Sequence, residues 1–484
     1  MIAILAHVRV PSLSTTLDAS SSARAAAPAR GKLLQVLGVW FGIAAAIGNT
    51  IAAGIVRSPG DIAQWLPNTF LFLSVWVVGG LYALVGAPSM AELAAAIPLS
   101  GGQYNFSRRG LGEYAGFLVG WSDWLSTCGT AAAVAIVIAE YIAAFVPPLN
   151  GKTAIFGHQF TDQQFAAVAI IAGFFVLQWR GVKWGRSTQL VTAALKTGAF
   201  VIVVAACFLF GGHARSTIVT SVALPSLGSG WPLVASFMLA LQAVLYAVDG
   251  WDGVVYFGEE VRDPGREIPR AIFGSVISIM GIYLLINIAV LYVLPMDQIA
   301  GNNFSLGAAA ERIFGHYGDS VIRLIMIVSL LSCINANQLF CSRTLYKMSH
   351  DGLFFRYASR VNRGGTPVPA LLLSTIVGII FVLGTFERVI AMLSFFFVAN
   401  YTLSYASLLM LRKREPRMPR PYRAWGYPWT TGIALAASAM FLVASLLEDR
   451  DNAPIAFVIL LLSYPLFRLL KLVSRTNPAA AIQQ

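Results

Sequence analysis

The chain has 484 residues, 57% of them hydrophobic and only 12% charged, with 34 Lys and Arg against 22 Asp and Glu for a formal charge of +12. Soluble domains carry about 25% charged residues, so this composition excludes an ordinary water-soluble enzyme, excludes disorder, and places the chain in a lipid bilayer. Surplus positive charge in a soluble chain would suggest nucleic acid; in a membrane chain it belongs to cytoplasmic loops, and no nucleic-acid partner is expected.

Residues 1–32 are rich in Ser and Ala, carry Arg24, Arg30 and Lys32, and show no period, so they read as a disordered cytoplasmic tail. The opening MIAILAHV is too short for a signal sequence and no cationic segment precedes it. A helix needs about 20 apolar residues to cross the hydrocarbon. On that rule twelve transmembrane helices are expected, near 33–57, 68–97, 114–146, 164–179, 188–210, 232–257, 271–294, 320–342, 369–385, 389–411, 428–447 and 453–467. Residues 98–113 and 343–366 are expected to add short interfacial helices, and 474–484 a cytoplasmic C-terminal tail. The expected architecture is an all-α integral membrane protein with one transporter domain over 33–473.

An even number of spans puts both termini on one side, and the basic residues choose which. The loops assigned outside hold Lys152, Arg215, Arg312, Arg388 and Arg450, while Arg57, Lys196 and Arg323 lie inside spans; the rest of the 34 fall on the opposite side. That bias marks the cytoplasmic face of a plasma membrane, with a bacterial inner membrane the expected setting.

The four cysteines, Cys128, Cys207, Cys333 and Cys341, all fall in expected spans, and the five histidines all fall in loops or tails. A metal site or histidine chemistry inside the membrane has no residues to use, and HExxH, GxSxG and GxxxxGK[ST] do not occur. No cofactor, no metal and no enzymatic reaction are therefore expected.

Two spans break the rule that intramembrane backbone stays helical and apolar. The first carries Gly48-Asn49-Thr50 and Gly54 inside an apolar run that Pro59-Gly60 ends. The sixth carries Asp249-Gly250-Trp251-Asp252-Gly253 at its middle. An aspartate at mid-bilayer is unfavourable by about 2.5–3.5 kcal/mol, so two of them must face water, a cation or free N–H groups. Two discontinuous helices five spans apart suggest a five-plus-five inverted repeat, 33–210 and 232–411, with an added pair over 428–467. An unwound segment offers half-helix N-termini to a carboxylate, and carbonyls with half-helix C-termini to an ammonium. A zwitterion satisfies both.

Plainer roles exist for each of these residues. Gly48 and Gly54 have close packing as their plainer alternative, and Asp249 or Asp252 an N-cap for the second half of span six. Arg57 and Asp61 are spaced for a local ion pair; the alternative for Arg57 is an external gate. Lys196 lies eight residues into its expected span, about 12 Å along the axis, near the limit of snorkelling; otherwise it is a buried ammonium beside span one. Glu92 and Glu140 read as interface or packing partners, Asp123 between Trp121 and Trp124 as part of an interfacial aromatic belt, and Asn335 and Asn337 as helix–helix hydrogen-bonding residues.

At these residues the sequence resembles the amino acid–polyamine–organocation superfamily, and within it the L-type amino acid transporters and bacterial amino acid permeases. The motifs are GNTIAAGIVRSPG, PLSGGQYNFSRRGLGEYAGFLVGW, TAALK, DGWDGVVYFGEEVRDPGREIPRAI, CINANQLFCSRTLYKMSHDGLFFRYASRVNRGGTPVPALL and RPYRAWGYPW, spread over roughly 33–470. The resemblance implies a LeuT-type fold working by alternating access on an amino acid. It places substrate at Asn49, Thr50, Ala52, Ala53 and Gly54 of the first break and at Tyr246, Asp249 and Gly250 of the second, with Tyr246 as gate and Trp251 and Asp252 shaping the pocket. Lys196 matches a lysine whose ammonium replaces a sodium ion in sodium-independent relatives, which implies proton coupling or exchange. Glu259, Glu260 and Arg262, with Arg57, are the gating candidates; the alternative for the charged run after span six is a solvated loop.

Two departures bear on substrate. Ala52-Ala53-Gly54 stands where relatives carry Gly-Ser-Gly, and Asp249 and Asp252 stand where relatives mostly carry uncharged residues. Both raise the expectation of a cationic amino acid or an amine, and a polyamine or amine exchanger of the same fold is the alternative function. A sensor of this fold that binds without transporting, and a membrane enzyme, are the remaining rivals. Loop 147–163 has no cysteine, so no disulfide-linked heavy chain is expected.

Overall fold

A computed structural model describes residues 37–155, 158–216, 230–302, 304–383, 386–448 and 453–475. The expected tail 1–32 and residues 476–484 of the expected C-terminal tail lie outside the described residues. The described chain is almost wholly helical. It runs α1 (Val39–Thr50), α2 (Ala53–Trp65), α3 (Thr69–Ala96), α4 (Gln103–Leu111) and α5 (Glu113–Ala143), then a two-stranded antiparallel pair β1 (Lys152–Ile155) and β2 (His158–Thr161). There follow α6 (Asp162–Trp179), α7 (Val182–Ser216), α8 (Trp231–Val248), α9 (Pro264–Val293), α10 (Met296–Ile299), α11 (Ser305–Phe314) and α12 (Gly318–His350). The last four are α13 (Val368–Val382), α14 (Phe386–Arg414), α15 (Trp429–Glu448) and α16 (Ala453–Arg475).

Local chemistry sets several boundaries. The Asn68 side chain accepts from the N–H groups of Phe70 and Leu71 and starts α3; Thr161 and Gln164 form a reciprocal capping box that starts α6. The helix of the seventh expected span begins earlier than 271, at Pro264, so Pro269 sits inside α9.

Among the described residues nine helices are long and apolar enough to cross a membrane, and the bent pair α1–α2 makes up to ten. Twelve spans were expected; the fourth and ninth correspond to α6, of 18 residues, and α13, of only 15. The two candidate spans most enclosed by protein are α5 and α12, each 72% buried over its apolar window against 28% for α15 and α16. The peripheral helices turn large apolar side chains outward, as Val201, Ile202 and Leu209 of α7 and Leu461 and Leu462 of α16 show, which suits contact with lipid tails.

Two expectations about local structure are corrected. No separate helix covers 343–366: α12 continues to His350 because the buried Arg343 is held by Glu260, and only a single 3-10 turn at Arg356–Ser359 follows. Span six does not resume as an α-helix after its break. From Gly253 it forms two short 3-10 turns, Gly253–Tyr256 and Gly258–Glu260. Close packing explains this: a Cβ at Gly253 would lie 2.8 Å from the Phe340 ring, and one at Gly258 2.6 Å from the Pro98 backbone.

Glu92 ties the bundle together at one end. Its carboxylate is 1% exposed and receives Arg412 Nε at 2.9 Å, Arg420 Nε at 3.0 Å and the Ala424 N–H at 2.7 Å, joining α3 to α14 and to the RPYRAWGYPW segment. Removing one member of a buried ionic cluster leaves the others uncompensated. Glu92→Ala is therefore expected to lower stability by about 3 kcal/mol, read as a clear drop in the thermal midpoint of the detergent-purified protein; an unchanged midpoint would dismiss the clamp.

Candidate functional site

The first break follows from residues too small and too polar to hold a membrane helix against its neighbours. α1 stops at Thr50, Ile51 and Ala52 take non-helical dihedrals, and α2 leaves at 47° to α1. Carbonyls freed in this way need partners, since hydrocarbon offers none. Each finds one. Lys196 Nζ, fully buried on α7, donates to Gly48 O at 3.0 Å and Ile51 O at 2.5 Å. Cys333 Sγ lies 3.2 Å from Asn49 O, Ser329 Oγ donates to Ile51 O at 3.2 Å, and Tyr283 OH lies 2.7 Å from Thr50 O. At the other side of the break α2 begins with no side-chain cap on Ala52, so its first-turn N–H groups need a partner from outside the helix.

The second break sits directly against the first. α8 ends at Val248, and Gly250 adopts φ +93°, a conformation that favours glycine. A Cβ on Gly250 would lie 2.0 Å from Asn49 Nδ2, and one on Gly54 2.7 Å from the Ala247 Cα. Tyr283 OH also lies 2.8 Å from Ala247 O, so one hydroxyl reaches both breaks. Gly48 packs as tightly, its virtual Cβ falling 1.7 Å from Gln189 Nε2.

A cavity opens between the breaks and the central helices. Asn49, Thr50, Ala52 and Gly54 line it from the first break and Tyr246, Asp249, Gly250 and Asp252 from the second. The side chain of Ala53 lies outside the described residues. Trp251 is buried behind the wall, its ring stacked on Tyr401 at 5.5 Å. Asp252 does not cap the following turn with its side chain. Its carboxylate instead accepts from Gln103 Nε2 at 2.9 Å and Tyr401 OH at 3.1 Å.

Sequence reasoning missed several wall residues. Asp123 is not at an interface: it is 3% exposed, lines the cavity, and accepts from Tyr256 OH at 2.7 Å and Thr344 Oγ1 at 3.2 Å. The signal was present, because a carboxylate in an apolar helix needs a functional reason, but the flanking tryptophans suggested a belt. Gln103, Asn400 and Tyr401 also line the cavity, and nothing in the periodicity of α4 or α14 marks them. Asn337 bonds Asn49 Oδ1 at 2.7 Å and joins the wall, whereas Asn335 holds α12 to α7 through Gly185 O and Gln189 Oε1.

The gating candidates divide. Glu260 meets Arg343 through two hydrogen bonds, 2.6 and 3.1 Å, with both side chains buried, and Glu259 lies 3.6 Å from Lys347. Arg262 contributes its backbone N–H to Leu37 O at 3.2 Å while its side chain is exposed. Arg57 stands half-buried on α2, one turn ahead of Asp61. Neither Arg57 nor this charged cluster lines the cavity.

Residues 34–463 match the family described as amino acid permease. The chain belongs to that family. The permease is 27% identical over 450 residues to the serine/threonine exchanger SteT of Bacillus subtilis, covering 90% of this chain and 96% of that protein. It is 27% identical over 431 residues to the Asc-type amino acid transporter 1 of Mus musculus, covering 87% and 78%. To the human cystine/glutamate transporter it is 27% identical over 434 residues, covering 88% and 83%.

The contact between the breaks predicts a contrast between two glycines of the permease. Gly250→Ala forces a strained φ and a clash with Asn49, so a loss of about 1–3 kcal/mol and of transport is expected. Gly281→Ala on α9, where a Cβ meets nothing within 4 Å, should leave both unchanged. Thermal unfolding and uptake measured side by side check the pair; equal behaviour would show that the breaks do not depend on their mutual contact.

Proposed function

We propose that the permease carries an amino acid across the plasma membrane by alternating access, in a LeuT-type five-plus-five arrangement of twelve spans with both termini cytoplasmic. The observation that carries this reading is the pairing, in one cavity, of an uncapped helix N-terminus at Ala52–Gly54 with the carboxylate of Asp249 at the other break. The first attracts a carboxylate and the second an ammonium, so a zwitterionic α-amino acid fits across the gap. A substrate without a carboxylate would leave the α2 amides unpaired, which argues against the polyamine exchanger. That relatives are named as transporters and exchangers, and none of those cited as an enzyme, supports transport over catalysis.

Coupling follows from the same accounting. The carbonyls of the first break already hold the Lys196 ammonium, which supplies the positive charge that a sodium ion would otherwise bring. We therefore read the permease as sodium-independent, working by exchange or with protons, in the manner that the name of the Bacillus relative supports. Tyr246, beside Asp249 on the cavity wall, serves as the gate over bound substrate. Glu259 and Glu260 hold the cytoplasmic side shut.

Reconstitution into liposomes with labelled amino acids and amines, with and without sodium, a pH gradient and internal substrate, tests the reading. Accumulation of an amino acid without sodium is expected; uptake of amines alone, or no flux with retained binding, would replace it with an exchanger of amines or a sensor. In the same vesicles Lys196→Ala should reduce uptake by about tenfold or more, or make it respond to sodium. Full uptake that still ignores sodium would leave Lys196 no part in coupling.

A further inference from the structure

We propose that the substrate carries a second positive charge on its side chain: the permease takes a basic amino acid. This rests on the cavity being the amino acid site. Three carboxylates line it from three elements, Asp123 of α5, Asp249 at the end of α8, and Asp252 beyond the break, and no Lys, Arg or His is among the described residues around it. The ammonium of Lys196 is engaged outside the cavity by Gly48 O and Ile51 O.

The hydrogen bonds deepen the bias toward a cation. Asp123 and Asp252 each receive a donor on both oxygens, which is how an ionised carboxylate is held. Tyr256 and Tyr401 give their hydroxyl protons to those carboxylates, so only lone pairs are left to turn toward the cavity. Ser404 donates to Gln103 Oε1 at 3.1 Å, which fixes the Gln103 amide nitrogen on Asp252. None of these donors carries a charge.

Two further wall residues point to a ligand independently of the carboxylates. Among the described residues Thr50 Oγ1 and Asn400 Nδ2 find no hydrogen-bond partner, although the two residues are only 4% and 2% exposed and both line the cavity. Buried polar atoms almost always have a partner, in the protein or in water, so these two are available to polar atoms of whatever fills the cavity. The Thr50 hydroxyl can accept or donate, whereas the Asn400 amide nitrogen only donates and calls for an acceptor on the ligand.

Charge counting separates the candidates. A neutral amino acid brings one carboxylate, which α2 takes, and one ammonium, which Asp249 takes. Asp123 and Asp252 then share a low-dielectric cavity with no countercharge. A guanidinium or side-chain ammonium supplies one positive charge against those two carboxylates, halving the uncompensated charge, together with several donors, and a guanidinium presents five in a fixed fork.

Arginine and citrulline isolate the cationic group, because citrulline keeps the length and planar end group and replaces one charged NH2 by a neutral carbonyl oxygen. Counterflow is measured in proteoliposomes preloaded with the same unlabelled compound. Arginine should show a KM lower than citrulline by about tenfold or more, and Asp123→Asn and Asp252→Asn should each narrow that ratio. Equal or better transport of citrulline overturns the proposal and leaves amino acid transport standing. So does citrulline uptake that rises to the arginine rate at acid pH, which would assign the two carboxylates to protons. If no amino acid is transported, the preceding reading fails instead. Thermal stabilisation of the purified protein by arginine against citrulline then decides this one, through binding alone: preferential stabilisation by arginine upholds it, and none or the reverse overturns it.

Discussion

Everything at the centre of this permease depends on one requirement: a helix broken inside a membrane must find partners for the backbone groups it releases. Hydrocarbon supplies none. The chain meets the requirement asymmetrically. The carbonyls of Gly48 through Ile51 are all answered by side chains, from Lys196, Cys333, Tyr283 and Ser329, on three different helices. The amides at the start of α2 receive no side-chain cap. The break is thus finished on its acceptor side and left without a side-chain cap on its donor side, and residues from both sides, Asn49 and Thr50 before it and Ala52 and Gly54 after it, line the cavity.

That asymmetry revises a simple picture in which substrate ammonium binds the unwound carbonyls of both breaks. The first break's carbonyls already hold an ammonium that belongs to the protein, and Ala247 O at the second break shares the single Tyr283 hydroxyl proton with Thr50 O. Side-chain carboxylates of Asp123, Asp249 and Asp252 stand on the same cavity wall. On the proposed reading, Asp249, Asp252 and Asp123 take the part that free carbonyls would otherwise play.

The positions of the breaks were legible in the sequence because glycine and aspartate violate the composition of a membrane helix, and violations stand out when only 12% of residues are charged. The reach of Lys196 toward span one was open to inference for the same reason. Less visible were residues whose meaning arises from packing across the bundle. Gln103 belongs to a short amphipathic helix and Asn400 and Tyr401 to an apolar one, and only the fold brings them to Asp252 and Asp123. The second half of span six looked helical in one dimension. Its course is set instead by Gly253 and Gly258 approaching Phe340 and Pro98, contacts that no local pattern records.

The same stretch of chain that leaves the site also carries a cluster of ion pairs at one end of the molecule, which on the proposed reading would link binding to movement. From Tyr256 onward it pairs with two partners: Gly101 N–H donates to Tyr256 O at 3.3 Å, and Leu37 N–H donates to Glu260 O at 3.0 Å. Glu260 grips Arg343, and Lys347, a turn further along α12, lies near both Glu259 and Asp351, which in turn pairs with Arg108. Opening this end exposes or separates a buried ion pair, which is unfavourable unless water or new partners follow. Tyr256 hydrogen-bonds Asp123 on the cavity wall and stands four residues from Glu260. If Asp123 contacts substrate as proposed, a ligand that draws it would act on the segment that carries Glu260, because the cavity wall and the buried ion pair share a single short stretch of backbone.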